Sequence, residues 1–284
     1  MSAPLAWITG AGGLIGSHLV RAAPRSGPAR EVVGWTRNQL DLADADAMRR
    51  AFRHRPPDLV IHCAALSRSA ACEEDPALAQ RLNVDVTARL AELSAEIPFL
   101  FLSSDLVFDG RRGNYNEDDP PGPLSAYART KLAAERIVLA NPRHSVIRAS
   151  LNGGVSPTGD RGFNETMRLA WQHGRPVKLF TDEFRSPLPA SVTARAIWEL
   201  AGCNRPGLYH LGGSERLSRW EIGRLIAGRW PQLNPRLEPC SRRDFAGPPR
   251  PGDTSLNCTR LQALLSFRLP GLGEWLNANP EEVF

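Results

Sequence analysis

The sequence predicts an α/β protein: a doubly wound parallel sheet of Rossmann type with a smaller, partly interleaved C-terminal substrate domain. Two patterns carry that expectation. Short, continuously apolar runs alternate with helix-like stretches through the first half of the chain, as in βαβ units whose strands are buried on both faces. A glycine cluster lies between the first apolar run and the first helical stretch, where such sheets bind phosphate groups.

Taken in order, "LAWIT" (5–9), "EVVGW" (31–35), "DLVIHCA" (58–64), "PFLFLS" (98–103) and "HSVIRAS" (144–150) read as strands. The stretches 14–23, 44–54, 76–95 and 125–140 read as the helices between them. Beyond residue 150 the alternation fades into "LNGGVSPTGDRG", which is loop chemistry. "FNETMRLAWQHG" reads as a helix stopped by Gly174, and "SVTARAIWELAG" as one stopped by Gly202. "PGLYHLGG" (206–213) suits a late strand rejoining the sheet, "SRWEIGRLIAGRW" (218–230) a helix capped by Ser218, and "GPPRPGD" (247–253) a proline-stiffened loop. The expected division is a dinucleotide-binding domain over 1–150 with 186–213 returning to it. Segments 151–185 and 214–284 would form the smaller substrate-binding domain.

Composition narrows the classes. Of 284 residues, 42% are hydrophobic and 23% charged, and no apolar run approaches the roughly 20 residues of a membrane helix. The start, "MSAPLAWITG", has no basic leader region, so the expectation is a cytoplasmic protein without a membrane partner. Five scattered cysteines without a CxxC spacing read as small buried thiols, and no metal is expected. The net charge of +5 comes from dispersed arginines, which suits attraction of a phosphorylated ligand better than nucleic acid.

"WITGAGGLIGSHLV" places Gly10, Gly13 and Gly16 at GxxGxxG spacing. Glycines there permit a tight turn, close approach of the backbone to a pyrophosphate, and close packing of helix on strand. A dinucleotide is the expected ligand. At the end of the second strand, "VVGWTRNQLDL" offers Thr36 and Arg37 where an NAD site would present an acid. An arginine suits a 2′-phosphate, so NADP, as NADPH, is the expected cofactor; the plain alternative is that Arg37 is one surface arginine among many.

Of 35 basic residues only Lys131 and Lys178 are lysines, and Lys131 follows Tyr127 by four positions in a helical stretch. Their side chains then share a face. A phenol with a pKa near about 10 is a poor acid–base group at neutral pH, and a nearby ammonium favours its ionised form. A compact lysine head can also reach ribose hydroxyls. Upstream, Ser103 and Ser104 lie just past an apolar strand, so that Ser104 can hydrogen-bond a carbonyl that Tyr127 protonates. The plain alternatives are a turn-capping serine and a chance YxxxK on a surface helix.

"TGAGGLIGSHL", "DLVIHCAA", "FLSSDLVFDG" and "YARTK" together resemble the extended short-chain dehydrogenases/reductases. "SDLVFDG", "YNEDDPPGPLSAYARTKLAAE", "GLYHLGGSERLSRWEI" and "RPGDTSLN" resemble, more narrowly, the dTDP-4-dehydrorhamnose reductase family. The resemblance implies a triad of Ser104, Tyr127 and Lys131, with Asp105 beside the reacting carbonyl. It implies that Gly10, Gly13, Leu14 and Ile15 hold the pyrophosphate, that Asp41 and Leu42 flank the adenine, and that Ala64 and Ala65 line the nicotinamide side. NADPH would deliver hydride to C4 of a nucleotide-linked 4-keto-6-deoxy sugar, with Arg148, Arg185 and Arg250 as charge candidates for its diphosphate. Self-pairing into a homodimer is left open.

Where the rhamnose enzymes carry an aromatic after the fifth strand, this chain reads "RASLNGGVSPTGDRG". The family also contains a regulatory, NADP-binding subunit of methionine adenosyltransferase, so a non-catalytic role is the second expectation. A related sugar-nucleotide epimerase or dehydratase is the third, since Asp105 directly follows Ser104.

Overall fold

Along β1 (Leu5–Thr9) successive side chains enter different cores: Ala6 and Ile8 face one side of the sheet, Leu5 and Trp7 the other. This is the alternation of an extended strand, with both faces covered. The computed structural model describes residues 4–26 and 31–284. Its main sheet adds β2 (Glu31–Trp35), β3 (Leu59–His62), β4 (Phe99–Ser104), β5 (Ser145–Ala149) and the strand Gly207–Leu211. From one edge the order is Gly207–Leu211, β5, β4, β3, β1, β2, and every neighbouring pair is parallel.

One face is covered by the helices Leu14–Ser26 and Ala190–Cys203, which bring Leu19, Ile197 and Trp198 onto Ile8, Ile61 and Ile147. The other is covered by Ala45–His54, Val86–Leu93 and Ala126–Leu139, through Met48, Leu90 and Val138 on Trp7, Val60 and Phe101. Strand order reverses at β1, with β2 on one side and β3 on the other. A crevice therefore opens at the carboxyl ends of the strands, where ligands of such sheets bind.

A third core, with Met167, Trp171, Ile222, Ile226 and Trp275, is separate from the two sheet cores and is built from the segments expected to form the smaller lobe. Leu261 and Leu269 belong instead to the first sheet core, so part of the 214–284 segment packs against the nucleotide-binding layer.

Three local expectations change. The 76–95 helix is broken into Pro76–Gln80, a π-helical turn Arg81–Asp85 and Val86–Leu93, and a further short helix, Ser69–Glu74, precedes it. Gly202 does not stop its helix, which continues to Cys203 and ends at Asn204, a residue with φ of 48°. Asparagine tolerates that left-handed conformation and takes the role expected of glycine. The serines of "FLFLSS" lie inside β4 rather than past it, with Ser104 paired to Ala149. Ser218 does cap its helix: its hydroxyl accepts from the Glu221 amide at 3.1 Å, and the Glu221 carboxylate accepts from the Ser218 amide at 2.7 Å. Among the described residues no helix is long and apolar enough to cross a membrane.

Candidate active site

Gly10 has φ of 72°, and a Cβ there would lie 2.7 Å from the Ala64 amide nitrogen. A Cβ on Gly16 would lie 2.2 Å from the Gly10 carbonyl oxygen. Both glycines are therefore fixed by the close approach of the turn to β3 and of the helix to the turn. The turn floors one end of a cleft of about 910 Å³ along the sheet's carboxyl edge. Gly13, Leu14, Ile15, Ala64 and Ala65 line it beside Gly10 and Gly16, and Arg37, Asp41 and Leu42 line its far rim.

A buried polar thread holds that wall in place. Thr9 Oγ1 donates to His62 Nδ1 at 2.6 Å, and His62 Nε2 donates to Thr87 Oγ1 at 3.1 Å. This tautomer follows because the Thr87 hydroxyl proton is already given to the Asn83 carbonyl at 2.7 Å. Burial pushes the imidazole down to about 3, so His62 stays neutral. Asn83, on the π-helical turn, accepts from the Leu66 amide at 2.7 Å and donates to Thr130 at 3.0 Å, tying the cleft wall to the Tyr127 helix. Neither His62 nor Asn83 is singled out by the sequence reading, because a lone buried polar residue carries no spacing signal.

Ser125 caps the helix Ala126–Leu139, accepting from the Ala128 amide at 3.2 Å. This start places Tyr127 in the first turn and Lys131 one turn on, both lining the cleft. Lys131 is 3% exposed; its ammonium donates to the Leu102 carbonyl at 2.5 Å and lies 4.0 Å from the centre of the Phe101 ring. Burial pushes the amine down to about 8. Burial also raises the Tyr127 phenol above its ordinary range, and the Asp105 charge adds to that rise. Lys131 is not among the groups acting on the phenol. The expectation that its ammonium makes Tyr127 acidic is thus not met in this structure: the amine is turned to β4, and the phenol holds its proton.

Asp105 is fully buried and is held by hydroxyls and a guanidinium from distant parts of the chain. It accepts from Ser104 at 3.2 Å, Ser150 at 3.1 Å and Thr254 at 2.9 Å, and lies 3.6 Å from Arg185. Burial raises its pKa against these partners. Ser104 also accepts from the Leu106 amide at 3.2 Å, so it caps the turn Asp105–Val107 while facing the cleft.

The smaller lobe contributes a charged cluster. Glu183 pairs with Arg185 at 3.1 Å and with Arg250 at 2.5 Å. Arg219 joins them in the cleft, and burial pushes its guanidinium down to about 10. Among the described residues no carboxylate lies within 4 Å of Arg219, although the charges of Glu183 and Asp105 reach it. In the sequence it is one arginine among many, and its place two positions before the family-like "EI" is its only signal. Arg148, by contrast, is corrected. It lies inside the molecule, paired to Glu135 at 2.8 Å and packed 5.0 Å from the Phe108 ring, and it does not line the cleft. Its position on β5 points it to the face covered by the helix Ala126–Leu139, where only a paired arginine is tolerated.

The meeting of the glycine turn and the YxxxK helix at one edge of a parallel sheet places the chain among the extended short-chain dehydrogenases/reductases. More narrowly, it belongs to the family of the RmlD substrate binding domain, whose pattern matches residues 6–281. It is 34% identical over 285 residues to the dTDP-4-dehydrorhamnose reductase of Mycobacterium tuberculosis, covering 95% of this chain and 90% of that one. It is 29% identical to the methionine adenosyltransferase 2 subunit beta of Bos taurus, covering 90% and 81%. The fold superposes with a TM-score of 0.88 on the dTDP-4-dehydrorhamnose reductase of Bacillus anthracis in complex with NADP, at 22% identity and 98% coverage of both chains.

Proposed function

We propose that the chain is an NADP-dependent oxidoreductase that reduces the C4 carbonyl of a nucleotide-linked 4-keto-6-deoxy sugar, with Tyr127 as the proton donor. The observation that carries the reading is convergence. Ser104, Tyr127 and Lys131 line the cleft between the glycine turn and the arginine cluster. Cofactor binding alone does not require a phenol at that point, whereas carbonyl reduction needs a proton donor there, a role a phenol can fill.

The residues fit NADP. The glycine turn leaves a cradle that a Cβ would fill, and Arg37 at the rim suits the 2′-phosphate. NADPH bound there supplies the hydride. Tyr127 keeps its proton at neutral pH and gives it to the carbonyl oxygen. Ser104, whose single hydroxyl proton rests on Asp105, turns it to the same oxygen as charge develops. Lys131, its ammonium held by the Leu102 carbonyl and the Phe101 ring, lines the cleft where it can meet the ribose. Arg219 attracts the diphosphate.

The relatives named as methionine adenosyltransferase beta subunits favour a second reading, a non-catalytic NADP-binding subunit. Purified protein with a dTDP-4-keto-6-deoxy sugar separates the two. The expected result is consumption of NADPH faster than of NADH; tight NADPH binding without turnover of any carbonyl would overturn the reductase reading in favour of the second.

A further inference from the structure

The loop between Ser241 and Pro251 presents an exposed aromatic ring at the mouth of the cleft. Phe245 is 43% exposed and lines the cleft beside the arginine cluster. A ring so placed is costly to leave in water, yet this one is held still. Phe180 meets it edge-on at 5.7 Å and 84°. The Arg250 guanidinium lies 5.4 Å from its centre and 5.1 Å from that of Phe180. Behind it the chain folds so closely that a Cβ on Gly247 would stand 2.3 Å from the ring.

The loop itself is anchored at its base. Asp182 accepts from the Ser241 hydroxyl at 2.7 Å and from the Arg242 amide at 2.8 Å, and Arg242 donates to the Arg250 carbonyl at 3.2 Å. Pro248, Pro249 and Pro251 stiffen the remainder. Arg250 is thereby spoken for: it pairs with Glu183 through two hydrogen bonds and backs the ring.

We propose that Phe245 is the base-recognition residue of this site, a preformed shelf on which the nucleobase of a nucleoside diphosphate sugar stacks. The inference rests on the sugar-nucleotide reading above and deepens it by assigning the base end of the substrate. Both residues line the same cleft: Arg219, which has no carboxylate within 4 Å among the described residues, takes the diphosphate, and Phe245 takes the flat heterocycle. An aromatic face is sequence-tolerant toward bases because every base has a π surface, and the adjacent guanidinium adds a cation on the far side. The aromatic missing after β5 is not needed for this end of the ligand.

The test uses the full chain saturated with NADPH and titrated calorimetrically with dTDP, UDP and inorganic pyrophosphate. Phe245→Ala should weaken dTDP and UDP about tenfold or more, leaving pyrophosphate and NADPH affinity unchanged. Phe245→Tyr should restore wild-type dTDP binding. Arg219→Ala should weaken all three phosphate ligands together. Unchanged dTDP affinity in Phe245→Ala, with the wild type binding dTDP, would overturn this inference alone. Failure of the wild type to bind either nucleotide would overturn it together with the sugar-nucleotide reading.

Discussion

Lys131 occupies a slot that arginine would not fit. Its amine lies within 2.5 Å of the Leu102 carbonyl and 4.0 Å of the Phe101 ring, space for a compact head and not for a planar fork. Enclosure sets its titration. Burial pulls the pKa down from an ordinary 10.5 to about 8, so the folded protein releases this proton while the unfolded chain still binds it. Between those values stability rises with pH, because the unfolded state holds more protons. The proposed function runs the other way: the ammonium proposed to meet the ribose is lost above about 8. NADPH affinity should therefore fall as pH is raised through that value, and a Lys131→Met variant should bind more weakly with a flat profile between neutral and alkaline pH. Fluorescence titration at a series of pH values checks this. Tyr127 was legible as a residue but not as a titration. Four-residue spacing puts two side chains on one face, yet it does not say which way a lysine turns, and here the carbonyl of β4 holds it.

At the scale of elements, the glycine turn was readable because its chemistry is positional. Gly10 and Gly16 are the points where strand, turn and helix come too close for a side chain, and the spacing records that directly. Gly16→Ala should force the turn from the Gly10 carbonyl, with stability lower by about 1–3 kcal/mol in denaturant melts and NADPH binding about tenfold weaker. Unaltered NADPH affinity would show that the turn does not set the phosphate site. The broken helix over 76–93 was not readable. No glycine interrupts it and its proline stands in the first turn, and the π turn at the weaker run Asn83–Thr87 is stabilised by distant partners, through Asn83 with Leu66 and Thr130. π turns of this kind gather at functional sites, and this one steers the wall of the cleft. Ser69–Glu74 is too short to show a period, and Gly202 was misread because an asparagine two residues on serves as the stop.

For the whole molecule, alternating buried strands and helices were enough to give a doubly wound sheet, since few other layers cover both faces of parallel strands. The smaller lobe was legible in outline only. The charges that line its part of the cleft come from three places in the chain, Glu183 with Arg185, Arg219, and Arg250, and which arginine lacks a carboxylate within 4 Å is decided by packing that no local pattern records. The same packing removed Arg148 from the cleft and drew Leu261 and Leu269 into the sheet core. Asp105 joins distant parts of the chain in the cleft: its carboxylate is bonded by Ser104 of the sheet and by Thr254, 149 positions on from Asp105. The central claim is that the phenol placed at this junction gives up a proton to a substrate carbonyl. Steady-state kinetics and NADPH titration of Tyr127→Phe test it most directly. The account predicts nearly unchanged NADPH affinity with turnover reduced about 10²-fold or more; turnover close to wild type would contradict it.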